Sequence, residues 1–295
     1  MGYLFLFIAL LAGSTKGYCG KKTSGYTKSL NDAVFANTLR MFICAMIGFF
    51  LVIANDGIAM LKPSVELLLV SALSGISTAI FVVTWLISVK KSAYMMLDVF
   101  LMLGVLVPLI LGKIFFSESI KITQWLGIAI LFIAVLIMCS YNNSIKTKIN
   151  LPSLILLLIC GISNGITDFS QKLFVKTIEN SSAASFNFYT YIFTAAILLV
   201  TLFVTKEKDN TSDKQNKKKI FGYILVMAVC LFMNSYFKTL AANHLSSVLL
   251  YPLNQGCALI LSTLMATVLF KEKLTLKAII GIVTAFIGLL IINLL

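Results

Sequence analysis

The chain has 295 residues, 59% of them hydrophobic and 12% charged, with a formal net charge of +13. No soluble domain of this size needs so much apolar sequence for its core, and the apolar runs lack a polar side at helical period, so a membrane protein is expected and a soluble bundle is not. The basic residues sit between apolar runs instead of forming a stripe with aromatics, which makes them topology signals and argues against nucleic acid as a partner.

A spanning helix needs about 20 predominantly apolar residues to cross a hydrocarbon core of about 30 Å. Ten segments meet that requirement: 2–21, 33–54, 65–89, 92–112, 121–140, 151–172, 183–205, 219–241, 245–270 and 274–294. The first has no basic leading region and carries Lys16 where a signal peptide would be apolar, so it is expected to stay as the first helix. Between the seventh and eighth segments lies the run KEKDNTSDKQNKKK, 206–219, which reads as a solvated loop. The six cysteines are scattered singly through apolar runs and the single histidine is His244. Neither a disulfide framework nor a metal site is expected, and no cofactor.

The chain contains one pattern twice. FFSESIKITQWLGIAILFIAVLIM from Phe115 and LFKEKLTLKAIIGIVTAFIGLLII from Leu269 each hold an aromatic, a glutamate, a basic residue, a glycine and an unbroken apolar run. Glu118 matches Glu272 and Gly127 matches Gly281, both 154 residues apart, while GSTKG at Gly13 matches GISNG at Gly161 at an offset of 148. The difference falls in the polar run at 206–219. Residues 1–145 and 146–295 therefore read as two five-helix repeats. Five is odd, so the second repeat enters the membrane from the opposite side, giving an all-α membrane protein of ten transmembrane helices in two inverted repeats. That arrangement recurs in secondary transporters, where the substrate path lies between the repeats. Counted with the segment ends that flank them, loops after odd-numbered segments hold 16 lysines and those after even-numbered segments hold 5, which by the positive-inside rule leaves both termini outside.

Two inverted fives, each closing with F-x-E-x-(I/L)-(K/T) and a last helix containing glycine, resemble the drug/metabolite transporter superfamily, specifically its EamA-type ten-helix members. The resemblance covers the whole chain. It implies transport without ATP hydrolysis through a central cavity lined mainly by the first, third, fourth, sixth, eighth and ninth helices. It implies a small-molecule substrate among amino acids, amines, nucleobases, sugars or related metabolites. Members are generally drawn with both termini cytoplasmic, against the lysine count here. Proline is also common near the start of their fourth and ninth helices; Pro252 fits the ninth, but the aligned position in the fourth is Asp98.

Ionisable side chains inside apolar helices are costly and usually face a cavity or a partner. Lys16, Arg40 and Asp98 lie near the membrane side that follows the first helix, and Asp168 and Lys238 near the opposite one. Asp98, one turn beyond Tyr94, is the leading candidate: it can hold a cationic group, take up a coupling proton, or neutralise Lys16 or Arg40. Asn164, Asp168 and Lys172 share one helical face, with Asp168 and Lys172 spaced as a local ion pair and Lys172 long enough to snorkel. Asn234 and Lys238 repeat the spacing. Tyr251, Asn254 and Gln255 cluster around Pro252 and supply either substrate hydrogen bonds or polar glue between helices. Trp85 is either a cavity wall or an interfacial belt residue. Glu118 and Glu272, at helix boundaries beside lysines, are expected to form a salt-bridged gate or cap instead of binding substrate.

No nucleophile elbow, Walker loop or ligand cluster is present in the sequence, so an enzyme is not expected. The expected function is secondary transport, export included, of a small polar or amphiphilic metabolite, with protons as one candidate coupling ion. The chain is expected to act in the bilayer of a cell membrane, bacterial inner or plasma membrane, as a monomer or homodimer. The alternatives are a flippase of a lipid-linked sugar and a non-transporting assembly subunit.

Overall fold

The computed structural model describes residues 1–27, 29–55, 57–91, 94–117, 121–145, 150–178, 181–204, 214–272 and 275–294. They form helices α1 (Gly2–Ser24), α2 (Leu30–Asn55), α3 (Val65–Lys91), α4 (Tyr94–Leu103), α5 (Leu106–Phe116), α6 (Ile122–Ile145), α7 (Leu151–Thr177), α8 (Ala183–Val204), α9 (Lys214–His244), α10 (Ser247–Val268) and α11 (Leu276–Leu294), with a 3-10 turn at Ile58–Leu61. Among the described residues, nine stretches are long and apolar enough to cross a membrane, and Leu276–Ile292 is a shorter apolar helix. In hydrocarbon every backbone N–H and C=O must be satisfied within the segment, which is why such runs become helices.

Local chemistry sets the ends. Ser29 and Asp32 exchange side-chain and backbone hydrogen bonds, each 3.1 Å, as a capping pair at the start of α2. Asn150 accepts from the Ser153 N–H at 3.1 Å to cap α7, where Pro152 occupies a first-turn position that needs no donor. Ser117 closes α5 in the left-handed region at φ 55°.

Two sequence expectations need correction. The fourth segment is not continuous: α4 and α5 meet at a break over Gly104 and Val105. Pro108 has no N–H to offer the Gly104 carbonyl, which instead accepts from Val107 at 3.1 Å, and Gly104 and Val105 themselves donate to Leu101 and Met102 in tight i−3 bonds. The polar run at 206–219 is also not loop throughout, because its last six residues already belong to α9; residues 205–213 lie outside the described residues.

The packing is symmetric under exchange of the halves. α1 packs on α9 as α3 packs on α7, while α2 packs on α8 and α6 on α11. Glycines make the closest approaches. A Cβ on Gly161 would lie 2.6 Å from the Phe100 carbonyl and one on Gly165 would lie 2.1 Å from that of Gly104, so α7 presses its backbone directly on the break between α4 and α5. The main core runs through the interface of the halves and includes Tyr94, Leu97, Phe100, Leu131, Tyr141 and Tyr251. Phe7, Ile76, Leu126, Leu136 and Phe203 point outward, as expected of surfaces that meet lipid tails.

Candidate functional site

A cavity of about 90 Å³ lies between the two halves. Its walls come from α1, α3 and α4 on one side and α7, α9 and α10 on the other. The structure brings eight of the sequence candidates to it: Lys16, Trp85, Tyr94, Asp98, Asn164, Lys238, Asn254 and Gln255. Asp168 and Tyr251 stand directly behind the wall.

The buried ion pair of the site joins two helices. Asp168 on α7, 0% exposed, is bound by the ammonium of Lys238 on α9. This replaces the intrahelical Asp168–Lys172 pair that the spacing suggested. A fully buried carboxylate needs the cation that reaches it inside the protein. Lys172, itself buried, turns instead to the end of α9 and donates to the carbonyls of Ala242 at 3.1 Å and Leu245 at 2.8 Å. Those are the carbonyls that a helix end leaves without intrahelical donors, and the negative end of the helix dipole favours a cation there. Tyr251 donates to the backbone carbonyl of Asp168 at 2.6 Å and is wholly buried, so it braces α10 on α7. His244 stacks on Phe5 at 5.9 Å, away from the cavity.

Polar groups remain open inside. Asp98 Oδ2, Asn164 Nδ2 and Asn254 Oδ1 are buried without a hydrogen-bond partner. Lys16 and Asp98 both line the cavity, yet they form no ion pair with one another among the described residues. Lys16 also lies within electrostatic reach of Arg40, Lys238 and Asp168. Arg40 sits on α2 outside the cavity wall, and its Nε is buried without a partner. The Asn234 amide is committed to the Ala9 carbonyl at 2.7 Å, a tie between α9 and α1.

Aromatic rings close one end. Trp85 is 8% exposed and meets Tyr94 edge-on at 6.5 Å, and Tyr94 in turn packs on Phe270 at 5.6 Å. Burial on this scale makes Trp85 a wall of the cavity. Gly17 and Gly20 of α1 leave room for these rings: a Cβ on Gly17 would stand 2.2 Å from the Tyr94 hydroxyl, and one on Gly20 2.4 Å from the Trp85 ring. Beyond the rings, Glu272 accepts from the Tyr94 N–H at 3.0 Å and faces Lys21 at 3.8 Å, while Lys21 donates to the Val89 carbonyl at 2.8 Å. One carboxylate thus ties α1, α3 and α4 to the segment after α10. Glu118 lies outside the described residues.

Sequence reasoning passed over several of these groups. Ser14, Ser262 and Met265 line the cavity. Ser262 follows Gln255 by seven residues, two helical turns, and that spacing marks it as facing the same way. Lys21 is a further one, one turn past Gly17 on the cavity helix.

Residues 151–294 match the EamA-like transporter family. A solved crystal structure of another protein superposes with a TM-score of 0.71 at 12% identity, over 99% of this chain and 96% of that one. That likeness concerns the fold. No curated protein sequence matches the chain.

Proposed function

We propose that this chain, whose residues 151–294 match the EamA-like transporter family, is a secondary active transporter carrying a small polar or amphiphilic metabolite across a cell membrane by alternating access. It is a multi-pass membrane protein. The observation that carries the proposal is the cavity between the halves, in which buried polar atoms of Asp98, Asn164 and Asn254 have no hydrogen-bond partner among the described residues. Such groups are expensive in a membrane interior unless something fills their hydrogen bonds. A solute held there satisfies them, and release to either side requires the two halves to exchange conformations. Lys16, Asp98, Asn164, Asn254 and Gln255 contact the solute in this reading, while Trp85 and Tyr94 close over it. The Glu272–Lys21 pair acts as a gate at one end.

The test is a thermal-shift screen of the purified protein against amino acids, amines, organic acids, nucleosides and sugars, followed by uptake into liposomes. A ligand of the native state raises the melting temperature by mass action. The expected result is a compound that stabilises the parent, fails to stabilise Asp98→Asn, and is carried into liposomes by the parent. A compound that binds but is never carried would sink the transport reading.

A further inference from the structure

Charge in the membrane interior is unevenly matched. The described helices carry Lys16, Arg40, Lys172 and Lys238 against Asp98 and Asp168 within their apolar runs; Arg40, Lys172, Lys238 and Asp168 are buried, while Lys16 and Asp98 are partly exposed at the cavity. Lys238 is taken by Asp168, and Lys172 by the carbonyls that end α9. Lys16 and Arg40 remain, with Asp98 as the one acid left. Arg40 is 4% exposed and makes no ion pair or hydrogen bond among the described residues. It lies near enough to Lys16 for the two charges to repel. A buried cation with no counter-ion is among the least favourable arrangements in a protein interior.

We infer that the cavity selects a small organic anion, a hydroxycarboxylate, whose carboxylate is held by Lys16 and whose single negative charge balances the excess left by Arg40. The inference rests on the transport reading of the same cavity. A zwitterion or a neutral solute would leave that excess in place, and a cation would add to it. The hydrogen-bonding groups divide in the same way. Lys16 and the free Asn164 amide are donors suited to a carboxylate. Asp98 Oδ2 and Asn254 Oδ1 are acceptors suited to a hydroxyl. Size limits the choice. The cavity, about 90 Å³, is smaller than the roughly 150 Å³ hole that holds benzene. In its present state it therefore fits the shortest members of the class.

The test compares four molecules of nearly equal size that differ in charge: glycolate, glycine, ethanolamine and ethylene glycol. Their binding to the purified full chain is measured by calorimetry in low-chloride buffer. Glycolate is expected to bind at least tenfold tighter than the other three. Lys16→Gln should remove that preference, and Lys16→Arg should restore it. Arg40→Gln should narrow the glycolate-to-glycine ratio several-fold, whereas Arg40→Lys should keep it. If glycine or ethanolamine binds as tightly as glycolate, the anion assignment fails and the transport reading stands. If none of the four binds, the hydroxycarboxylate assignment fails, and the transport reading is decided by the wider screen and liposome uptake. Chloride that saturates the Lys16-dependent signal and leaves glycolate without effect would mean an inorganic ion bound in place of a substrate, which also overturns the assignment.

Discussion

The carboxylate of Glu272 accepts a hydrogen bond from the backbone N–H of Tyr94 at 3.0 Å, although 178 residues of sequence separate them. The bond places a negative charge on the first turn of α4, where N–H groups lack intrahelical acceptors and the helix dipole is positive. The same oxygen faces Lys21 at 3.8 Å. Glu272→Ala therefore removes a cap and an ion-pair partner together. Loss of a cap costs about 0.5–2 kcal/mol, and the partly exposed ion pair adds little. The melting temperature should fall by a few degrees, with Glu272→Gln retaining part of the cap. Unchanged thermal melting in Glu272→Ala would show that the contact does not hold α4.

The Asp168–Lys238 pair predicts a sign change. Removing one partner of a buried pair strands the other charge, at about 3–5 kcal/mol. Asp168→Asn and Lys238→Met should each lower thermal stability strongly. The double variant should recover most of the loss, because neither charge remains to be solvated. Additive single effects in this double-mutant cycle would contradict the pairing.

Two glycine substitutions should act in opposite directions. A Cβ on Gly165 would stand 2.1 Å from the Gly104 carbonyl, backbone against backbone, with no flexible side chain able to yield. Gly165→Ala should reduce the yield of folded protein or lower its melting temperature by many degrees. A Cβ on Gly222, in α9, meets nothing within 4 Å. Gly222→Ala should be neutral or stabilising by up to about 1 kcal/mol, through helix propensity alone. Comparable effects at the two sites would mean that α7 does not bear on the α4–α5 break.

If transport is proton-coupled, Asp98 is the carboxylate available for it, since Asp168 is already held by Lys238. At solute concentrations high enough to offset its weakened binding, Asp98→Asn should then show exchange across liposomes that no longer responds to an imposed pH gradient. A gradient response that survives the substitution assigns coupling elsewhere or to another ion.

Much of the architecture was legible because membrane helices announce themselves in composition. The expected segments at 65–89 and 183–205 correspond to α3 and α8 within a few residues. The break at Gly104 was less visible, since apolar content is unchanged there and only Pro108 signals the lost hydrogen bond. At the site, the ionisable residues of the apolar runs divide: Lys16, Asp98 and Lys238 line the cavity, whereas Arg40, Asp168 and Lys172 do not. Their partners were harder to read. Asp168 and Lys172 have ideal local spacing, yet each found a stronger partner on α9, and no helical period encodes a contact 70 residues away. Lys21 was hidden for a similar reason: its place in the last turn of α1 looks like an ordinary interfacial lysine until Glu272 is folded beside it.

The attachment of Lys172 to the last carbonyls of α9 bears on how the protein can move. Those carbonyls adjoin the two-residue joint before α10, and Tyr251 fastens α10 to the same helix, α7, only one turn from Lys172. The end of α9, the joint and the start of α10 are thus clamped to a single strut. A hinge cannot operate at that corner while the clamp holds. If the halves rock as proposed, the movement falls on the far ends of these helices or on the discontinuity between α4 and α5, which would make the corner a fulcrum and the discontinuity the flexing arm.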